Sequence, residues 1–158
     1  MVRLHHMSWL DEQIKRSEEL RTRAMLIDSH AQDTYDGLWN SLIGILDEAK
    51  EKFTDFGLNS HGGPKERKVE AIRRLTGERE RQMTLKLEPN NRVITAFVGG
   101  GSIPFTIGIC AVGVVCLTHE GHPITAQESS QIIMGYFLFP ELTGKAPNAS
   151  VYTTRGLA

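Results

Sequence analysis

The chain predicts an α+β fold, with helices and an antiparallel sheet segregated along the sequence. Three observations carry this. Apolar residues recur at helical spacing through the first third, and β-branched residues alternate with polar ones in the middle. Charge also stops abruptly at Arg92: residues 1–92 hold 32 of the 37 charged side chains, and Val93 to Leu117 holds none. The first part is therefore built for water, and the second must hide in a core, a partner or a bilayer.

The helical segment occupies 1–58. Ser8 precedes Asp11 by three residues, which suits an N-cap. From there the stripe runs Leu10, Ile14, Ala24, Ile27, Ala31, Tyr35, Leu38, Leu42, Ile45, Ala49 and Phe53. From Ala24 its steps are three or four residues, the α-helical period. Asp11/Lys15, Glu12/Arg16, Glu19/Arg23 and Glu48/Lys52 add acid-before-base pairs at i,i+4. The stripe keeps its phase across Asp36-Gly37, so one long helix is expected, straight or kinked near Gly37. At about 1.5 Å per residue it is too long for a domain of this size. It must fold back, protrude or pack on a second copy. A homo-oligomer, a dimer at first, is the expectation, with Ala31, Tyr35, Leu38, Leu42, Ile45 and Ala49 as its interface. Phe56-Gly57 reads as the helix stop.

The second segment, 59–142, reads as a sheet of four or five strands and a C-terminal helix, packed with the first as one domain. Asn59–Pro64 has loop composition. Lys65–Arg81 fits a helix or a strand turning at Thr76-Gly77-Glu78, and the strand is preferred because extended chain follows. Met83, Leu85 and Leu87 alternate with Thr84, Lys86 and Glu88. Pro89-Asn90-Asn91 turns the chain, and Arg92 to Val98 returns as a hairpin. Gly99–Ser102 is a connection. Phe105–Ile109 and Val112–Thr118 are short β-branched runs, and Glu120-Gly121 closes the last. Thr125 and Glu128 form a capping box ahead of Ile132, Ile133, Tyr136 and Phe137, with Pro140 as the stop. Residues 143–158 read as a loosely ordered tail.

Composition excludes little. The chain has 158 residues and a net charge of −1, so no global field selects nucleic acid. Cys110 and Cys116 are too few for a disulfide framework and read as buried, reduced thiols. The start, MVRLHHMSWL, lacks the apolar core of an export signal, which sets the cytoplasm as the expected compartment.

Candidate chemistry is sparse. His119-Glu120-Gly121-His122 places two imidazoles at i,i+3 in a turn, and zinc accepts imidazole and carboxylate. His119 and His122 are the metal candidates, with Cys116 or His61 to complete the set; a small enzyme would use this turn with Glu120. A polar turn explains the same residues without metal. Gly99-Gly100-Gly101-Ser102 lacks the Lys and the following helix of a phosphate loop. Asp28-Ser29-His30 cannot converge as a triad, because consecutive helical residues point about 100° apart.

Lys65–Arg81 holds seven basic and four acidic residues but no aromatic to stack on bases, which disfavours nucleic acid. Val93–Leu117 is long enough to cross a bilayer, yet five glycines and Pro104 interrupt it, which disfavours a membrane partner. The function expected is a non-catalytic binding or self-assembly module with no cofactor, engaging another copy or a protein partner.

Overall fold

A computed structural model describes residues 8–110 and 113–143. A single 44-residue helix, α1 (Trp9–Lys52), precedes seven strands. These are β1 (Phe56–Gly62), β2 (Glu66–Arg73), β3 (Arg79–Leu87), β4 (Val93–Val98), β5 (Gly101–Ile109), β6 (Val115–His119) and β7 (His122–Ile124). Two helices follow, α2 (Ala126–Leu138) and the short α3 (Pro140–Thr143). The sheet is an antiparallel meander in the order β1-β2-β3-β4-β5-β6-β7.

The helix starts where its chemistry says it should: the Ser8 hydroxyl accepts the Asp11 N–H at 3.1 Å. It runs unbroken through Asp36-Gly37, so it neither stops nor folds back there. It ends at Lys52, capped by Phe53, rather than at Gly57. Strand β1 takes up Phe56–Gly62, which includes the expected helix stop at Phe56-Gly57 and the first four residues of the expected Asn59–Pro64 loop. Of the four acid-base pairs, only Glu48/Lys52 closes among the described residues, at 2.9 Å.

The strand reading of Lys65–Arg81 is correct, and the β3–β4 hairpin turns at Pro89–Asn91. The β4–β5 hairpin turns on Gly99 and Gly100, both at positive φ, as a two-residue turn matched to sheet twist demands. Two strands exceed the expected count. β1 was hidden by loop-like composition, and β7 has only three residues, too few to show a period.

One face of the sheet is apolar because strand side chains alternate. Val69 pairs Met83, Leu85 pairs Ala96, Ile94 pairs Phe105, and Ile107 pairs Leu117. All eight are buried, in one cluster with Ile27, Ala31, Tyr35, Leu38, Leu42, Leu46 and Ala49 of α1 and Ile133, Met134, Tyr136 and Phe137 of α2. Strands β4, β5 and β6 thus hold most of the charge-free run, and their inward side chains line the core. No helix among the described residues is long and apolar enough to cross a membrane. Helix α2 opens with the expected capping box: Glu128 N–H donates to the Thr125 hydroxyl at 3.0 Å, and the Glu128 carboxylate accepts the Thr125 N–H at 3.2 Å. The tail after Thr143 and the first seven residues lie outside the described residues.

Candidate interaction surfaces

Position along α1 decides what its apolar stripe can do. Ala31, Tyr35, Leu38, Leu42 and Ala49 are buried against the chain's own sheet, with Ile45 half-buried beside Leu46, which takes the core place expected for Ile45. The residues expected at an intermolecular contact are therefore occupied within one chain. Tyr35 donates its hydroxyl to the Leu85 carbonyl, and burial pushes its pKa up to about 12, although Arg67 beside it pulls the other way.

The free apolar surface lies higher on the same helix. Ile27 is the first buried residue of α1; between Trp9 and Leu26 none is buried. Trp9 is 72% exposed, Leu20 67% and Met25 68%, and Leu10 and Ile14 are also exposed. Reading back from Ile27 in helical steps meets Ala24, Leu20, Ser17, Gln13 or Ile14, and Leu10. This is the same stripe, thinned by a serine and a glutamine. About 18 residues of helix, some 27 Å, stand as an arm beyond the core. Arm charges alternate in blocks: Asp11 and Glu12, then Lys15 and Arg16, then Glu18 and Glu19, then Arg21 and Arg23.

A clasp fixes the lower half of α1 to the β1–β2 hairpin. Arg67 reaches from β2 to lie over the rings of Tyr35 at 4.8 Å and Trp39 at 5.7 Å. It pairs with Asp36 at 2.7 Å and donates to the Gly63 carbonyl at 2.9 Å. Gln32 donates to Asp36 and to the Pro64 carbonyl. Gly62, at φ 145°, closes this turn, where a Cβ would collide with the Glu66 carbonyl. Sequence reading missed the clasp, since nothing local links Asp36 to Arg67.

Other candidate chemistry is dispersed. Glu120 and Gly121, at positive φ, form the two-residue turn between β6 and β7, with His119 directly paired to His122. His119 stacks against Phe105, ring centroids 5.0 Å apart, with Nδ1 3.3 Å from the Pro104 carbonyl oxygen; His122 is exposed. Cys116 is not a spare ligand. It forms a disulfide with Cys110 across the β5–β6 connection, which corrects the expectation of reduced thiols. His61 sits on β1, five strands from β6, about 24 Å at normal strand spacing. Among the described residues no group of three or more His, Cys, Asp or Glu could hold a metal.

The arginines of Lys65–Arg81 are already engaged. Arg67 has Asp36, Arg73 has Glu80, and Arg79 lies 3.7 Å from Glu70. Arg74 donates to the Phe56 carbonyl, and Arg81 donates to the Phe137 and Leu138 carbonyls at the end of α2. The Arg73 guanidinium holds the Glu80 carboxyl below its usual range. On the open sheet face a shallow groove of about 470 Å³ runs past Phe97, Gln82, Thr84 and Ser102 at the glycine turn.

Compared with protein-family models, with curated proteins and with solved structures, the chain matches none of them.

Proposed function

We propose that this chain is a non-catalytic assembly module that associates with a second copy of itself through the N-terminal arm of α1. The observation that carries the reading is the arm: a helix continuous with the core, bearing Trp9, Leu10, Ile14, Leu20 and Met25 in water. Most helical stability in proteins comes from packing an apolar face, which the arm does not do within its own chain. Exposed apolar patches beyond the usual scatter mark contact sites.

A second copy suits the arm by charge. Four acidic and four basic residues alternate between Asp11 and Arg23, so the arm has no net field for a polyanion or an anionic lipid surface. Another mixed-charge helix of the same composition can meet each block with its opposite. The disulfide supports an oxidising compartment over the reducing cytoplasm expected from the N-terminal sequence.

The test is molar mass by light scattering on the detergent-free full chain, across a concentration series. Wild type is expected to exceed the monomer mass, and Leu20→Asp to lower it with circular dichroism unchanged. An unchanged mass in Leu20→Asp would remove the arm from the interface.

A further inference from the structure

The two edges of the sheet are not equivalent. A sheet edge presents unpaired backbone N–H and C=O groups, and proteins usually blunt it with charge, proline, a bulge or brevity. Strand β7 follows that rule: it is three residues long and carries Pro123. Strand β1 does not. Its seven residues, Phe-Gly-Leu-Asn-Ser-His-Gly, include no Lys, Arg, Asp, Glu or Pro. All seven pair in unbroken register with β2 on one side. Among the described residues no strand lies on the other side.

We infer that β1 is a second self-association surface, pairing antiparallel with β1 of another copy about a two-fold axis at Asn59. Only this register joins the strand over its full length, because Asn59 is its centre. It sets Phe56 opposite Gly62, Gly57 opposite His61, Leu58 opposite Ser60, and Asn59 opposite itself. Phe56, His61 and Leu58 each face a glycine or a serine, Asn59 faces its own copy, and no charge faces a charge. Directly opposed residues share a face, so the buried Leu58 stays on the helix side and His61 on the open side. The pairing is self-complementary, as a two-fold contact must be, and it would continue two seven-stranded sheets into one.

This inference goes beyond the arm contact and does not depend on it. The experiment is disulfide trapping with Asn59→Cys in the full chain. Cross-strand Cα atoms in direct opposition lie about 4.5–5.5 Å apart, inside the range a disulfide spans. Because Cys110 and Cys116 are already bonded to each other, the introduced thiol is the reactive one. Under mild oxidation Asn59→Cys is expected to run as a covalent dimer on a non-reducing gel. Wild type should give no such band, and Ser60→Cys, one position out of register, a band at least fivefold weaker.

No dimer from Asn59→Cys, or equal trapping from Ser60→Cys, would overturn the register and with it the proposal. Asn59→Lys places two ammonium groups at the axis and should reduce the oligomer mass of folded protein. If that variant does not fold, the trapping result decides alone. Repeating the trapping in Leu20→Asp separates the two contacts. A dimer that survives there stands on β1 even if the arm is silent, and loss of trapping in that background would show that β1 pairing is not an independent contact.

Discussion

The two halves of α1 are one helix with one stripe and two fates. From Ile27 to Ala49 the stripe is filled by large or well-fitting apolar residues and lies against the sheet. From Trp9 to Leu26 the same stripe carries Ser17 and Gln13 in its middle and holds no buried residue. The difference teaches that helical period alone does not fix burial. Stripe density and the reach of the sheet do. Substitutions at matched positions in the two halves should therefore behave oppositely: large in stability and neutral in mass below Ile27, small in stability and large in mass above it.

The largest stability loss is expected at Leu42. It is fully buried, and truncating such a residue leaves a cavity the core cannot wholly close. Leu42→Ala should cost about 2–5 kcal/mol by urea denaturation. A loss under about 1 kcal/mol would mean that α1 does not pack on the sheet as described.

Next comes the disulfide, which joins Cys110, just past the end of β5, to Cys116 on β6. The bridge closes a loop with a sequence separation of 6. Chain entropy assigns such a loop about 2 kcal/mol. Cys110→Ser with Cys116→Ser should lower stability by about that much while leaving mass unchanged. Thiol titration of denatured, unreduced wild type should find no free cysteine.

Tyr35 sharpens the comparison from inside the core half. Removing its hydroxyl deletes a buried hydrogen bond to the Leu85 carbonyl, so Tyr35→Phe should cost about 0.5–1.5 kcal/mol. The pH dependence has a defined sign. The folded pKa is raised from 10.0 to about 12, so the folded state holds the proton longer than the unfolded one. The resulting stability is complete below pH 10 and is lost as pH rises toward 12. In Tyr35→Phe this part of the alkaline loss should vanish, measured as denaturation midpoints at pH 9 and pH 11.5.

Much of this architecture was legible in the sequence, and the exceptions share a cause. The helix phase, the capping box at Thr125, the hairpin at Pro89–Asn91 and the core run Val93–Leu117 are local signals, because spacing along the chain is what the fold uses there. Strand β1 was not legible. Phe-Gly-Leu-Asn-Ser-His-Gly is poor in β-branched residues and rich in turn formers, and it becomes a strand because β2 offers it a full ladder. Leu46 displaced Ile45 from the core because 3.6 residues per turn drifts against any fixed three-or-four count. The clasp of Arg67 with Asp36, and the joining of Cys110 to Cys116, depend on how separate elements meet. Of the candidate surfaces, Leu10 and Ile14 of the arm were visible as part of the stripe, but only the extent of the sheet showed that they remain exposed.

The smallest expected stability change lies in the arm, and it breaks or confirms the comparison. Leu20 is on the stripe, as Leu42 is, and both are leucines in the middle of one helix. Leu20→Ala removes a side chain that the chain itself does not bury, and alanine is at least as good a helix former. Monomer stability, measured at a concentration low enough to dissociate any oligomer, should change by less than about 0.5 kcal/mol. The oligomer should weaken instead, since a large aliphatic side chain buried between copies is worth about 1.5–3 kcal/mol. That corresponds to a rise of roughly tenfold to more than a hundredfold in dissociation constant. The two leucines thus form a matched pair within one stripe: Leu42→Ala should shift the urea midpoint without shifting the dissociation constant of the folded protein, and Leu20→Ala should do the reverse. If both changed only the midpoint, the arm would be packed within the chain, and the division of α1 into a core half and a contact half would fail.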